Sequence, residues 1–281
     1  METWPIGVFA SVDAGLGVGW NVISELKVPT IQLHAPHREN RTAQTAESLK
    51  AQLAELGVRC TAVFGGFDGE SYADIPTVVK TIGLVPAETR QSRLEEMFEI
   101  SDFAKQLGCD TVALHLGFVP EDPSDEGYAE IVDVTRKLCD YCSDNQQYLH
   151  LETGQETAEG LLEFIQQVKR ENLKINFDPA NMILYGSGEP IDALKKVAKH
   201  VRSIHCKDAT WSDKPGETWG AEVPLGDGAV DFRKYLQTLK EIGYTGPLTI
   251  EREIPQDPER QKQEISHAIG LLNKLKSELL G

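Results

Sequence analysis

The sequence predicts an α/β protein built as a (β/α)8 TIM barrel, and three observations support this: eight short apolar runs, amphipathic stretches between them, and the chain length. The chain has 281 residues. A barrel of eight βα units takes about 250 residues, so one barrel accounts for the length. No linker or low-complexity stretch divides the chain. We therefore expect residues 1–281 to form a single domain.

The strand candidates are apolar runs rich in β-branched residues, as a parallel sheet covered on both faces requires. They lie at residues 6–10, 30–35, 58–64, 110–116, 147–152, 173–178, 201–206 and 247–251. Helical patterns separate them, and a final helix is predicted over about 258–279. Three of the helical patterns end at a glycine that favours the left-handed C-cap conformation, namely Gly57, Gly108 and Gly243.

An open doubly wound sheet is the competing architecture, because a glycine cluster, Gly15 to Gly19, follows the first strand. A dinucleotide-binding sheet needs an acidic residue at the end of the second strand to hold the ribose. The second strand of this chain ends in His34-Ala35-Pro36 instead. We therefore interpret the glycine cluster as a flexible first loop.

Charge and composition exclude several classes of function. The chain carries 44 acidic and 28 basic residues, a formal charge of −16, which repels phosphate backbones and argues against a nucleic-acid partner. No apolar run approaches the ~20 residues that span a bilayer, and the first residues do not resemble a signal peptide. We expect a cytoplasmic protein without a membrane partner, and a homo-oligomer is left open. Cys139 and Cys142 lie in a helical pattern without a second pair, which indicates ordinary helix cysteines.

Three loops rich in Gly, Pro and Asp follow strands, at residues 65–69, 119–127 and 213–228. In a barrel such loops gather at the carboxyl ends of the strands, where active sites are built.

Four polar residues stand at the same end of four successive predicted strands: Glu152, Asp178, His205 and Glu251. In a closed barrel these ends converge, and burying several carboxylates together is costly unless a cation neutralises them. Three carboxylates and one imidazole suit Mn²⁺, Mg²⁺ or Co²⁺, and Zn²⁺ also accepts such ligands. The pattern predicts a site for one divalent metal ion.

Five segments carry a resemblance to a known family: HLETG, NFDPAN, SIHCKDA, PLGDGAVDF and LKEIGYTGPLTIERE. Over nearly its whole length the chain resembles the xylose isomerase-like TIM barrel superfamily, specifically its sugar phosphate isomerase/epimerase family. The resemblance implies that Glu152, Asp178, His205 and Glu251 hold one divalent metal. It also implies that Glu152 and Glu251 move protons on opposite faces of a substrate carbon.

Two positions depart from relatives in that superfamily. Asn181 stands where some members have a histidine three residues after the aspartate, and Glu222 stands where another histidine is expected. The three-zinc DNA endonucleases of the superfamily need both histidines, so the departures argue against a three-metal phosphodiesterase. His115 still matches the histidine of the fourth strand. The missing sixth-strand histidine also separates this chain from a strict ketose 3-epimerase site.

The function expected from these residues is a metal-dependent sugar isomerase or epimerase that acts on a small sugar through a metal-stabilised enediolate. Two alternatives stay open: a dehydratase or lyase acting on a ketosugar or ketoinositol, like the inosose dehydratases, and a catalytically idle carbohydrate-binding barrel. His115 is a candidate to hydrogen-bond the substrate. Lys207 is a candidate to neutralise an anionic intermediate, or alternatively to pair with Asp208.

Four aromatic residues in expected loops are candidates for an apolar surface against a sugar ring: Trp20, Phe67, Trp211 and Trp219. Arg252 directly follows Glu251, so the strand pleat predicts that it points to the other side and forms a structural ion pair.

Overall fold

Eight parallel strands close into a barrel in the computed structural model, which describes residues 3–13, 17–254 and 257–281. The described residues contain ten strands: β1 Ile6–Ala10, β2 Thr30–His34, β3 Arg59–Gly65, β4 Thr111–Leu114, β5 Tyr148–Glu152, β6 Leu173–Phe177, β7 Val201–Cys206, β8 Asp208–Thr210, β9 Ala221–Val223 and β10 Leu248–Ile250. All but β8 and β9 form the barrel, in which β10 closes the ring between β7 and β1. The predicted (β/α)8 fold is confirmed, and the open sheet is wrong.

Helices surround the barrel: α1 Trp20–Leu26, α2 Ala43–Leu56, α3 Ile75–Thr81, α4 Ala87–Leu107, α5 Glu126–Asp144, α6 Ala158–Val168, α7 Pro179–Tyr185, α8 Pro190–Val197, α9 Phe232–Glu241 and α10 Pro258–Leu280. Gly57 and Gly108 cap α2 and α4 in the left-handed conformation, and Gly243 adopts it just after α9. Cys139 and Cys142 are buried free thiols in α5, as the helical pattern predicts. Among the described residues, no helix has the length and apolar character needed to cross a membrane.

The structure corrects the predicted loops at two points. Trp20 begins α1 instead of lying in a loop, because the helix starts directly after Gly19. Residues 14–16 of the predicted first glycine loop lie outside the described residues. The stretch predicted as a loop over 213–228 includes β9, which pairs antiparallel with β8. Two additional short helices, α3 and α7, follow β3 and β6.

The segment after the β8–β9 hairpin folds around one buried carboxylate. Asp208 accepts hydrogen bonds from the backbone N–H groups of Gly226 at 2.9 Å, Gly228 at 3.0 Å and Val230 at 3.1 Å. A Cβ atom on Gly228 would lie 2.1 Å from Asp208 Oδ1, so this close approach requires glycine. The Asp208 carboxylate therefore binds the backbone of this loop, and the alternative in which Asp208 pairs with Lys207 is wrong.

Candidate metal centre and active site

Barrel closure brings the four predicted metal ligands to one point. Glu152 ends β5, Asp178 follows β6, His205 lies near the end of β7 and Glu251 follows β10. His205 Nδ1 lies 2.8 Å from Glu152 Oε1, 3.2 Å from Glu251 Oε2 and 3.4 Å from Asp178 Oδ2. One donor atom of each residue lies within 4.8 Å of all the others. Residues separated by about a hundred positions in the chain thus share one small volume.

The donor atoms in this cluster fit a divalent cation. Glu152 Oε1, Asp178 Oδ2 and His205 Nδ1 are buried and have no hydrogen-bond partner, because their close approaches lack hydrogen-bond geometry. Buried polar atoms in folded proteins are nearly always satisfied, so three such atoms facing each other need a further partner. Carboxylate oxygens with one imidazole nitrogen are a suitable ligand set for Mn²⁺, Mg²⁺, Co²⁺ or Zn²⁺.

The electrostatics of the cluster reflect an excess of buried negative charge. Burial and the charge of Glu251 raise the pKa of Glu152 to about 7. Burial lowers the pKa of His205, but the charges of Glu251 and Glu152 outweigh it and raise that pKa well above its ordinary value. Burial likewise opposes ionisation of Glu251, yet His205 and Lys207 hold its pKa well below the usual range. A proton on His205 therefore supplies the central positive charge that a dication can replace.

Lys207 is a second buried positive charge beside the cluster. It is 2% exposed, its Nζ lies 3.1 Å from Glu251 Oε2, and it also pairs with Glu253 and approaches Glu222 Oε2 at 4.0 Å. Burial lowers its pKa, but Glu251 and Glu253 outweigh this and raise it well above the ordinary value. Lys207 therefore stays charged and balances the charge of Glu251.

Glu222 occupies a position that sequence reasoning noted only as a departure. It lies near Lys207, and Arg252 Nη1 donates to its Oε1 at 2.7 Å. Arg252 also pairs with Glu264 at 2.7 Å, which confirms the predicted structural ion pair. Burial raises the pKa of Glu222 to about 7. No local pattern in the sequence marks the contact between Glu222 and Lys207.

His115 follows β4 and lies at the same end of the barrel. Tyr185 Oη lies 3.4 Å from His115 Nε2, whereas Nδ1 is buried without a partner. Burial, aided by the charge of Lys207, lowers the pKa of His115 to about 4. The imidazole is therefore neutral near pH 7 and can donate or accept a hydrogen bond. Tyr185, which sequence reasoning missed, also packs against Trp219 with ring centroids 4.6 Å apart.

A cavity of about 620 Å³ opens above these residues. Its walls include Glu152, Glu251, Lys207 and His115, and its volume is in the range of small-molecule sites. Asp178 and His205 are fully buried and do not line the cavity.

Only some of the predicted loops and aromatic residues line this cavity. Loops 65–69 and 213–228 contribute lining residues, whereas loop 119–127 lies beside a separate smaller cavity. Phe67 and Trp219 line the large cavity. Trp20 and Trp211 pack against the main hydrophobic core instead, so their predicted contribution to the sugar-facing surface is wrong.

The ring of His205 is held between two aromatic side chains. Its centroid lies 5.3 Å from that of Phe64 in a stacked arrangement and 5.7 Å from that of Phe9 at a steep angle. The Nε2 atom of His205 lies 2.6 Å from Gln32 Oε1. Gln32 was not predicted as a site residue, since its strand shows only an alternation of polar and apolar residues.

A comparison with solved structures finds a protein that is similar to this chain in both fold and sequence. A xylose isomerase domain protein from Planctomyces limnophilus superimposes with a TM-score of 0.97 at 57% sequence identity, and the match covers 99% of both chains.

Two characterised relatives match shorter stretches. The inosose dehydratase of Clostridium botulinum strain Eklund 17B is 31% identical over 120 residues, which is 39% of this chain and 39% of the dehydratase. The L-ribulose-5-phosphate 3-epimerase of Escherichia coli O1:K1 is 43% identical over 61 residues, 21% of this chain and 19% of the epimerase. The chain thus matches well under half the length of either enzyme. The family model described as xylose isomerase-like TIM barrel matches residues 20–275. On this match, the chain belongs to the xylose isomerase-like TIM barrel family.

Proposed function

We propose that this protein is a divalent-metal-dependent isomerase or epimerase acting on a small sugar. The observation that carries the proposal is the meeting of Glu152, Asp178, His205 and Glu251 at one point beside a cavity of sugar size. The local similarity to a sugar phosphate 3-epimerase supports it. A cation held by these four residues would supply Lewis-acid stabilisation to the oxygens of the substrate.

The side chains of the chain itself suit proton movement at a carbon next to a carbonyl. Glu152 and Glu251 come from β5 and β10, which β6 and β7 separate in the barrel, so they approach the common point from different sides. Two carboxylates in that arrangement can take a proton from one face and return it to the other. Lys207 keeps Glu251 ionised, and neutral His115 is available to hydrogen-bond a substrate oxygen.

A dehydratase is the second candidate. The similarity to inosose dehydratase over 120 residues favours it, and the same two carboxylates could remove a proton and then help a hydroxyl to leave as water. A barrel that binds a sugar without reaction is the third candidate.

Metal-loaded protein incubated with 2-keto and 3-keto sugars in D₂O separates the three candidates. If the sugar takes up deuterium without losing any atoms other than the exchanged hydrogen, the isomerase or epimerase is supported. If the sugar loses one molecule of water, the dehydratase is supported. Stoichiometric metal without any exchange supports the idle barrel.

The variants Glu152→Gln and Glu251→Gln test the proton-transfer roles. We expect each to lower turnover at least ~100-fold, the range of one general acid–base group, while the fold is kept. Glu264→Gln is the matched control, since this carboxylate binds Arg252 and does not line the cavity. Near-normal turnover in either test variant would show that the assigned roles are wrong.

Within this proposal the protein acts in the cytoplasm on a small sugar, without a nucleic-acid or membrane partner.

A further inference from the structure

A continuous line of buried hydrogen bonds runs from His205 through the barrel interior. His205 Nε2 lies 2.6 Å from Gln32 Oε1, and Gln32 Nε2 donates to Asn176 Oδ1 at 3.2 Å. Ser203 Oγ donates to the same Asn176 oxygen at 2.6 Å, and His150 Nδ1 lies 2.8 Å from Ser203 Oγ. All five side chains are buried. The contacts join strands β2, β5, β6 and β7.

The direction of every hydrogen bond in this line is determined by its neighbours. Asn176 Oδ1 accepts from both Gln32 and Ser203, so Gln32 must present its NH₂ group to Asn176 and its Oε1 to His205. A carbonyl oxygen only accepts, so the proton between Gln32 and His205 belongs to His205 Nε2.

The far end of the line agrees with this direction. The hydroxyl group of Ser203 donates its single proton to Asn176 Oδ1. It therefore accepts a hydrogen bond from His150 Nδ1–H. The opposite direction would require both amides to be reversed and would make His205 Nε2 an acceptor, so a neutral ring would keep its proton on Nδ1 and could not bind a cation through that atom.

We infer that Gln32 is a positioning residue, which together with Asn176 and Ser203 holds a proton on His205 Nε2 and so leaves Nδ1 as the atom that binds the cation. The inference rests on the metal site of the proposed function. A hydrogen-bond acceptor behind a ligating histidine fixes its tautomer and raises its basicity. The stacked Phe64 and the edge contact of Phe9 restrict the ring plane, so the hydrogen bond to Gln32 decides which nitrogen faces the carboxylates.

One group in this line has no hydrogen-bond partner, which is unfavourable for a residue with only a packing role. Asn176 Nδ2 is buried and has no hydrogen-bond partner. An unpaired buried donor is destabilising, and apolar side chains of similar shape would avoid it. The orientation of Asn176 that leaves Nδ2 unpaired is the one that directs Gln32 Oε1 toward His205.

The test compares the Co²⁺ dissociation constants of wild-type protein and two variants, measured by competition with a chromogenic chelator. Gln32→Leu removes the acceptor and should weaken Co²⁺ binding about 10- to 100-fold. Gln32→Glu keeps an acceptor for His205 Nε2–H, and because a carboxylate raises the basicity of the ring it should bind Co²⁺ at least as tightly as wild type. Gln147→Leu is the matched control, because Gln147 is a buried glutamine that binds Ser101 and the Cys109 carbonyl outside the site. It should lower the thermal unfolding temperature without changing Co²⁺ affinity.

A second readout follows the proton itself. In the Co²⁺-loaded protein, the exchangeable proton on His205 Nε2 should give a paramagnetically shifted NMR signal. We expect that signal in wild type and Gln32→Glu, and we expect it to be lost through solvent exchange in Gln32→Leu. If Gln32→Leu does not fold, Asn176→Leu replaces it as the test variant and Asn176→Asp replaces Gln32→Glu. Aspartate at position 176 still accepts hydrogen bonds from Gln32 and Ser203.

The possible outcomes distinguish the inference from the proposed function. Unchanged Co²⁺ affinity and an unchanged shifted signal in Gln32→Leu, or in Asn176→Leu where that variant is used, overturn the role of Gln32 and leave the metal site intact. Failure of the wild-type protein to bind Co²⁺ overturns the metal site, and with it both the proposed function and this inference.

Discussion

Asp178 offers a sharp test of the proposed metal centre, because its two carboxylate oxygens have separate contacts. Oδ1 accepts hydrogen bonds from the backbone N–H groups of Ala180 at 2.8 Å and Asn181 at 3.0 Å, which caps α7. Oδ2 has no hydrogen-bond partner and lies 3.4 Å from His205 Nδ1. In Asp178→Asn the remaining oxygen can keep the cap, while an NH₂ group replaces the free oxygen. We expect the fold to survive and metal binding to be lost.

The expected magnitude follows from linkage. A cation present at 100 times its dissociation constant stabilises the folded state by about 2.7 kcal/mol. For 281 residues, an unfolding entropy of about 2.1 cal/mol/K per residue converts this to a rise in Tm of roughly 5 °C. Asp178→Asn should show none of this rise. Asp178→Ala should in addition lose the helix cap, which costs about 1 kcal/mol in the metal-free protein.

The assay is thermal unfolding followed by circular dichroism, with chelator-treated protein scanned before and after addition of Mn²⁺. Asp231→Asn is the matched control, since Asp231 caps α9 through the Lys234 N–H at 3.0 Å and lies outside the site. This control should keep the full rise in Tm. A full rise in Asp178→Asn would show that Asp178 is not a ligand, and no rise in the wild type would show that the centre does not bind Mn²⁺.

Two further predictions concern buried residues that are not among the proposed metal ligands. The pKa of His150 is about 3 in the folded protein and about 6.5 in the unfolded chain. As the pH is lowered, the unfolded chain is protonated before the folded protein. The free energy of unfolding therefore falls as the pH drops below 6.5. Between pH 7 and pH 4 the free energy of unfolding of the wild type should fall by about 3 kcal/mol more than that of His150→Gln. Urea unfolding at both pH values measures this difference. An equal fall in both proteins would contradict a buried neutral His150. Asp208→Ala leaves four backbone N–H groups without their acceptor, those of Ala209, Gly226, Gly228 and Val230, and should cost roughly 2–4 kcal/mol in urea unfolding. A loss below about 0.5 kcal/mol, the range of ordinary surface changes, would show that Asp208 does not hold this loop.

The barrel and the four residues at its mouth could be predicted from the sequence because their signals are local. Short β-branched runs followed by amphipathic stretches specify strands and helices through backbone and side-chain periodicity alone. A polar residue at the end of each of four runs, such as Glu152 or His205, is visible without knowing any contact. Once the strands are parallel and the sheet closes, their ends must meet.

The rest depended on which side chains face each other across the closed barrel. Gln32 and His205 are 173 residues apart, and nothing around either residue indicates the other. Lys207 meets Glu251 and Glu253 instead of its neighbour Asp208, because Asp208 turns away to bind the glycine-rich segment after β9. The sequence by itself determined the order of the eight barrel strands and the residue types at the strand ends. Only the tertiary structure decided the hydrogen-bond partner of His205 and the ion pairs of Lys207, since these contacts depend on strand register and loop path, which have no local signal.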